Sequence, residues 1–132
     1  MGWVGLASIP RVVLEIARRE ADRLGMSLEE YLVETITRSL DPRERAREYL
    51  RAARELLEQA ETELGRGDVR QAAEKLWGAA ALAVKAHALA RRGRRLSSHG
   101  ELWMYERELE EELGEWVYDA WMAANGMHTC FY

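Results

Sequence analysis

Apolar residues along this chain recur every three to four positions and almost never alternate, the period of helices that bury one face. Ile9-Pro10 opens a first helix, in whose first turn a missing N–H costs little. Val13, Ile16, Ala17, Ala21 and Leu24 then share a face, until Gly25 supplies a left-handed cap that Met26 covers. Ser27-Leu28-Glu29-Glu30 reads as a capping box. It starts a second helix with Leu28, Leu32, Thr35, Ile36 and Leu40 on one side, which Asp41-Pro42 ends. A third helix, from about Pro42 to Gly65, carries the stripe Ala46, Tyr49, Leu50, Ala53, Leu56, Leu57, Ala60 and Leu64. A turn at Gly65-Arg66-Gly67-Asp68 leads into a fourth, from about Val69 to Arg92, capped by Asp68 with Gln71.

Two long helices joined by so short a turn predict an antiparallel hairpin. The Ala, Gly and Val of the fourth helix imply a close approach. Gly93 breaks that helix, and Ser98 with Glu101 caps a fifth carrying Leu102, Tyr105, Leu109 and Leu113. Gly114 kinks or divides the pattern. A sixth segment follows with Trp116, Val117, Ala120, Trp121 and Ala124, and Asn125-Gly126 is expected to stop it. Only Trp3 to Ser8 offers a short strand. The expected fold is an all-α, up-and-down helical bundle over residues 41–132, with a two-helix arm over residues 1–40.

Composition narrows the function classes. With 132 residues the chain is one domain, or one with an appendage, and 48% apolar content is enough for a core. A net charge of -4 excludes a uniformly basic nucleic-acid binder but leaves room for a local basic patch. The lone Cys130 excludes an internal disulfide and fits a reducing compartment. No apolar run approaches the ~20 residues of a membrane span, and the start lacks the basic region of a signal peptide. The expected location is the cytoplasm. Scarcity of labile side chains fits a thermophile, while arginine in place of lysine reads as genome composition. Three scattered histidines and one cysteine lack metal-ligand spacing, so neither metal nor cofactor is expected.

The run from Glu74 to Ala88 concentrates the candidate chemistry. It holds both lysines of the chain, Lys75 and Lys85, within about 80° of one another round the helix. They are either an anion-binding pair or stems lying along the bundle with amines in water. Trp77 between them is either core or a surface on which a base stacks. Beyond it, Arg91, Arg92, Arg94 and Arg95 flank Gly93, with Ser97, Ser98 and His99 at the next helix start. A helix start attracts anions and arginines grip phosphate, so one reading is a nucleotide or RNA phosphate pocket. The other has these arginines complement the helix dipole and pair with the acidic segment Glu101, Glu106, Glu108, Glu110, Glu111, Glu112, Glu115 and Asp119. His87 reads as an interior histidine, and His128 joins Asn125 and Tyr132 in a polar cluster.

Several runs carry a family resemblance: Leu56-Leu57-Glu58-Gln59-Ala60, Gly67-Asp68-Val69-Arg70-Gln71-Ala72, Glu74-Lys75-Leu76-Trp77-Gly78-Ala79-Ala80 and Ala83-Val84-Lys85-Ala86. Ser98-His99-Gly100-Glu101-Leu102-Trp103 and Met127-His128-Thr129-Cys130-Phe131-Tyr132 continue it, and Leu24 to Leu32 matches an amino-terminal arm. The chain resembles the HEPN superfamily of helical bundles and, more closely, the archaeal PaREP family within or near it. That resemblance implies an up-and-down bundle, often dimeric. Many HEPN members are ribonucleases, with an Arg four to six residues before a His near the bundle's end. Here Trp121, Met122 and Ala123 precede His128, so that Arg is missing. The spacing occurs instead at Arg94 to His99, with Arg92 also in range. Ala7 to Leu40 also resembles a ribbon-helix-helix unit. Its ribbon, Gly2 to Ala7, offers no base-reading group and the arm lacks cations, which argues against DNA and for a packing or dimerisation role.

The reading is a non-enzymatic, homodimeric helical module that recognises a nucleotide, RNA or a partner protein such as a nucleotidyltransferase. Its candidate ligand-binding residues are Arg91, Arg92, Arg94, Arg95, Ser98, Lys75, Lys85 and Trp77. The alternatives are a metal-independent ribonuclease with His99 as base and Arg94 or Arg92 on the phosphate, a DNA-binding or dimerising arm, and a structural dimer without ligand.

Overall fold

A computed structural model describes residues 9–131, with the Phe131 side chain outside that description. Six helices follow one another: α1 (Arg11–Leu24), α2 (Leu28–Ile36), α3 (Pro42–Gly65), α4 (Val69–Arg92), α5 (His99–Leu113) and α6 (Glu115–Phe131). One 3₁₀ turn, Thr37–Ser39, follows α2. No strand occurs among the described residues, and the candidate strand Trp3 to Ser8 lies outside them. The fold is an all-α helical bundle.

Local chemistry sets the boundaries. Gly25 at φ 70° and Gly93 at φ 58° hold the left-handed caps that end α1 and α4, a conformation costly for any residue with a Cβ. The Ser27, Asp41, Asp68 and Ser98 side chains accept N–H groups of the first turns of α2, α3, α4 and α5. The expected box at Ser27 is only half made. Ser27 Oγ accepts the Glu30 N–H at 3.1 Å, but the Glu30 carboxylate turns inward instead of back to the cap.

The core sits around α4, which is buried on most of its circumference. One side packs antiparallel on α3, where Ala79, Leu82, Ala86 and Leu89 meet Ala46, Tyr49, Ala53 and Leu56. Another packs on α5 and α6, where Trp77, Ala81, Val84 and Ala88 meet Leu102, Tyr105, Leu109, Val117 and Trp121. A helix enclosed in this way needs small residues so that neighbours approach on several sides. Gly78 marks the tightest approach. A Cβ there would stand 2.9 Å from Ser27 Oγ and 3.3 Å from Leu56 Cδ1, so α2 and α3 close on the same point.

Several faces differ from the sequence pattern. On α2 the buried residues are Glu30 and Glu34, while Ile36, placed on the expected core face, is 74% exposed. The stripe of α3 divides: Ala46, Tyr49, Ala53, Leu56 and Ala60 are buried, whereas Leu50, Leu57 and Leu64 form an exposed row at spacings of seven. Val13 and Ile16 of α1 are likewise exposed, and only Ala17 and Ala21 of that helix are buried. Gly114, at φ 111°, divides α5 from α6. Asn125-Gly126 does not stop α6, which runs on to Phe131. A glycine can stay helical at a cost of ~1 kcal/mol, and Thr129 Oγ1 donates to the Asn125 carbonyl across that stretch at 3.0 Å.

Gly78→Ala is expected to destabilise the chain by about 1–3 kcal/mol, because Ser27 must move and α2 loses its cap. Urea denaturation checks it, and an unchanged midpoint would show that α2 yields freely there.

Candidate functional site

Lys85 points into the protein rather than into water. Its Nζ lies 2.7 Å from Glu30 Oε2 and 3.0 Å from Glu34 Oε2, and all three side chains are at most 5% exposed. Glu30 and Glu34 are one turn apart on α2, so both face one point on α4. The buried Arg45 adds an Nη2 donor to the Glu34 carbonyl at 3.1 Å, and Arg95 reaches Glu34 Oε1 from the rim at 3.5 Å. Burial pulls the Lys85 amine down, but the two carboxylates more than offset that and hold it above its usual value. Burial pushes the Glu30 carboxyl up, against the pull of the amine. Lys85 therefore ties α2 to α4. Lys75, on the outside, donates to Gln59 Oε1 across the hairpin at 3.0 Å, so the two lysines do not converge on one guest.

The arginine corner lies between α4 and α5. Arg92 pairs with Glu108 at 3.3 Å and Glu112 at 3.1 Å, and Arg94 pairs with Glu108 at 2.6 Å. The guanidinium carbons of Arg92 and Arg94 also sit 5.2 and 4.9 Å from the centre of the Tyr105 ring. Arg91 is exposed beside them. At the start of α5, Ser98 Oγ accepts the Glu101 N–H at 3.1 Å, while Ser97 Oγ donates to Glu101 Oε1 at 2.9 Å. The chain's own carboxylates thus meet the groups that would take a phosphate.

His99 is engaged elsewhere. The Trp103 indole N–H donates to its Nε2 at 2.9 Å, which takes the lone pair a general base would use and leaves any ring proton of the neutral form on Nδ1. Arg94 and His99 thus have different partners. Trp77, fully buried, packs at the centre of an aromatic cluster: His128 stacks on it at 5.1 Å, Trp121 lies tilted at 4.8 Å, and His99 stands 6.2 Å away. Burial lowers the His128 imidazole, and neighbouring His99 adds to the shift. The Asn125–His128–Tyr132 cluster involves Tyr132, outside the described residues. Among the described residues no group of three His, Cys, Asp or Glu is placed to hold a metal ion, and no helix is long and apolar enough to cross a membrane.

Two of the open concavities are apolar. Between α3, α4 and α6 runs a groove of about 430 Å³, floored by Ala79, Ala80 and Ala83 and flanked by Leu50, Leu57, Ala123 and Met127. Beside it, between α4, α5 and α6, lies a cavity of about 240 Å³ with Val84, His87, Leu109, Trp116, Val117 and Trp121 in its wall. The sequence pattern places Trp116 and Trp121 together on one apolar segment. In the structure Trp121 is buried and Trp116 is 63% exposed. On α5, the buried Glu106 carboxyl is pushed up to about 7 by desolvation and by its hydrogen bond with Glu110.

The model of the archaeal PaREP1/PaREP8 family matches residues 48–132, from the second turn of α3 through α6. No curated protein and no solved structure matches the chain.

Two measurements test these buried charges. Lys85→Met is expected to cost about 3–5 kcal/mol, since it strands two buried carboxylates, and adding Glu30→Gln and Glu34→Gln should restore much of that. Denaturation midpoints of the single and triple variants decide it. Glu106 keeps its proton in the folded chain up to about pH 7 but loses it near 4.5 when unfolded, so its contribution to stability falls as pH rises between those values. Glu106→Gln should therefore raise stability above pH 7 by on the order of 1–3 kcal/mol and change little below pH 4.5. Melting curves across that range check the sign.

Proposed function

The chain belongs to the archaeal PaREP1/PaREP8 family, and from that premise we propose that it is a non-catalytic, HEPN-like helical binding module that works as a homodimer. One observation carries this reading: the apolar face of α3, α4 and α6. The exposed row Leu50, Leu57 and Leu64 runs along α3, Ala80 and Ala83 form the floor, and Ala123 and Met127 form the far edge. α3 has 24 residues and is about 36 Å long. A strip two helices wide along it covers about 600–700 Å², close to the ~800 Å² per partner of a stable interface. Alanines on the floor let a helix of a second copy approach at the short end of the ~8–10 Å range.

The same module would recognise a partner protein rather than RNA. Arg92 and Arg94 are already matched to Glu108 and Glu112, and a phosphate would have to displace those carboxylates. The ribonuclease alternative needs Arg94 and His99 on one phosphate and finds no support in their separate partners. Recognition of a nucleotidyltransferase stays within the proposal, since an apolar face suits a protein surface.

Sedimentation equilibrium tests the reading. The wild type is expected to be a dimer at micromolar concentration, and Leu57→Glu, at an exposed position, a monomer with unchanged helical circular dichroism. A wild type that stays monomeric at every concentration would overturn it.

A further inference from the structure

α3 sorts its exposed charges by sign along its length. At ~100° per residue, Arg43, Arg47, Arg51, Arg54, Glu58 and Glu61 lie within about 100° of Leu50 round the helix, all on one side of the leucine row. All six are exposed. The charges of this flank are all arginine up to Arg54 and all glutamate beyond it. Glu44 and Glu48 break the run of arginines in sequence but lie further round, at about 120–160° from Leu50. Arg54 lines the groove together with Leu50 and Leu57, so the sorted flank borders the apolar face.

Nothing within one copy accounts for this order. The macrodipole favours acids near a helix start and bases near its end, which is the reverse. Pairing inside the chain does not use these charges either. Among the described residues Arg54, Glu58 and Glu61 enter no ion pair, and Arg51 meets Glu48 of its own helix at 3.1 Å.

A partner that carries the same order in the opposite direction does account for it. Leu57 stands seven residues from both Leu50 and Leu64. A two-fold axis at Leu57 lays α3 of a second copy antiparallel on the row, Leu57 against Leu57 and Leu50 against Leu64 of the second copy. The same flank of each copy then runs side by side. Arg54 faces Glu58 of the second copy and Arg51 faces Glu61 of the second copy, each within two residues' rise, about 3 Å, of directly opposite. Symmetry makes each pair twice. A parallel arrangement would set arginine against arginine and glutamate against glutamate, which rejects it. We propose that α3 is its own partner: the homodimer, on which this inference rests, forms by antiparallel packing of α3 on α3 about Leu57, with Arg51 and Arg54 against Glu58 and Glu61 fixing the direction.

Charge exchange tests the pairing. Sedimentation equilibrium is run at low salt, where surface charges are least screened. Four chains are compared: the wild type, Arg51→Glu with Arg54→Glu, Glu58→Arg with Glu61→Arg, and the chain carrying all four changes. All four positions are exposed, and helical circular dichroism checks each fold. Each double variant turns the four pairs across the axis into like-sign pairs and is expected to raise the dimer dissociation constant about 10–100-fold. The fourfold variant restores opposite signs and should return to within about 3-fold of the wild type. That recovery marks charges that meet across the axis, because in a parallel dimer all four chains keep like signs opposite one another. A dimeric wild type whose affinity both double variants leave unchanged, or that the fourfold variant does not recover, overturns the antiparallel pairing and retains the homodimer. A wild type that stays monomeric at every concentration overturns both and leaves the face to a different protein.

Discussion

One buried amine organises the molecule. Lys85 sits on the helix that α2, α3, α5 and α6 pack against, and a charge there is tolerable only with carboxylates at contact distance. Those carboxylates, Glu30 and Glu34, come from α2, and they place that helix at a fixed rotation against α4. Ser27 then falls over Gly78, where no side chain intervenes. The ion cluster and the bare glycine are two ends of a single contact, the first specifying rotation and the second allowing closeness.

Much of the helical order was legible because it is written locally. Gly25, Gly93, Asp41, Asp68 and Ser98 end or begin helices by chemistry that acts within a turn. Which face each helix turns inward was less legible. The pattern on α2 favoured Leu28, Leu32 and Ile36, yet burying Glu30 and Glu34 depends on a lysine 51 residues further on for Glu34, which no local window contains. Leu50, Leu57 and Leu64 belong by periodicity to the same stripe as Ala53 and Leu56. Only the position of α4 divides them. Asn125-Gly126 is a turn signal that the helix overrides.

The candidate site divides along the same line. Of the two readings open for the arginines, internal pairing matches the distances from Arg92 and Arg94 to Glu108 and Glu112. Neither reading of Lys85 had its amine inside the protein. The Tyr105–His87 pair and the cavity beside it arise from α4, α5 and α6 together, so no spacing in the chain announces them. The charged groups of the arginine corner and of the contact between α2 and α4 are committed to one another, while the face of α3, α4 and α6 leaves apolar surface available to an outside molecule.

The cluster of indoles has an optical consequence. Trp77 on α4, Trp103 on α5 and Trp121 on α6 are linked by ring separations of 4.8 Å (Trp77 to Trp121) and 5.5 Å (Trp103 to Trp121). Chromophores so near one another share their excited states, and the sign and size of the resulting ellipticity follow the angles between them. The chain thus carries its own reporter of how its last three helices are seated, without any added dye.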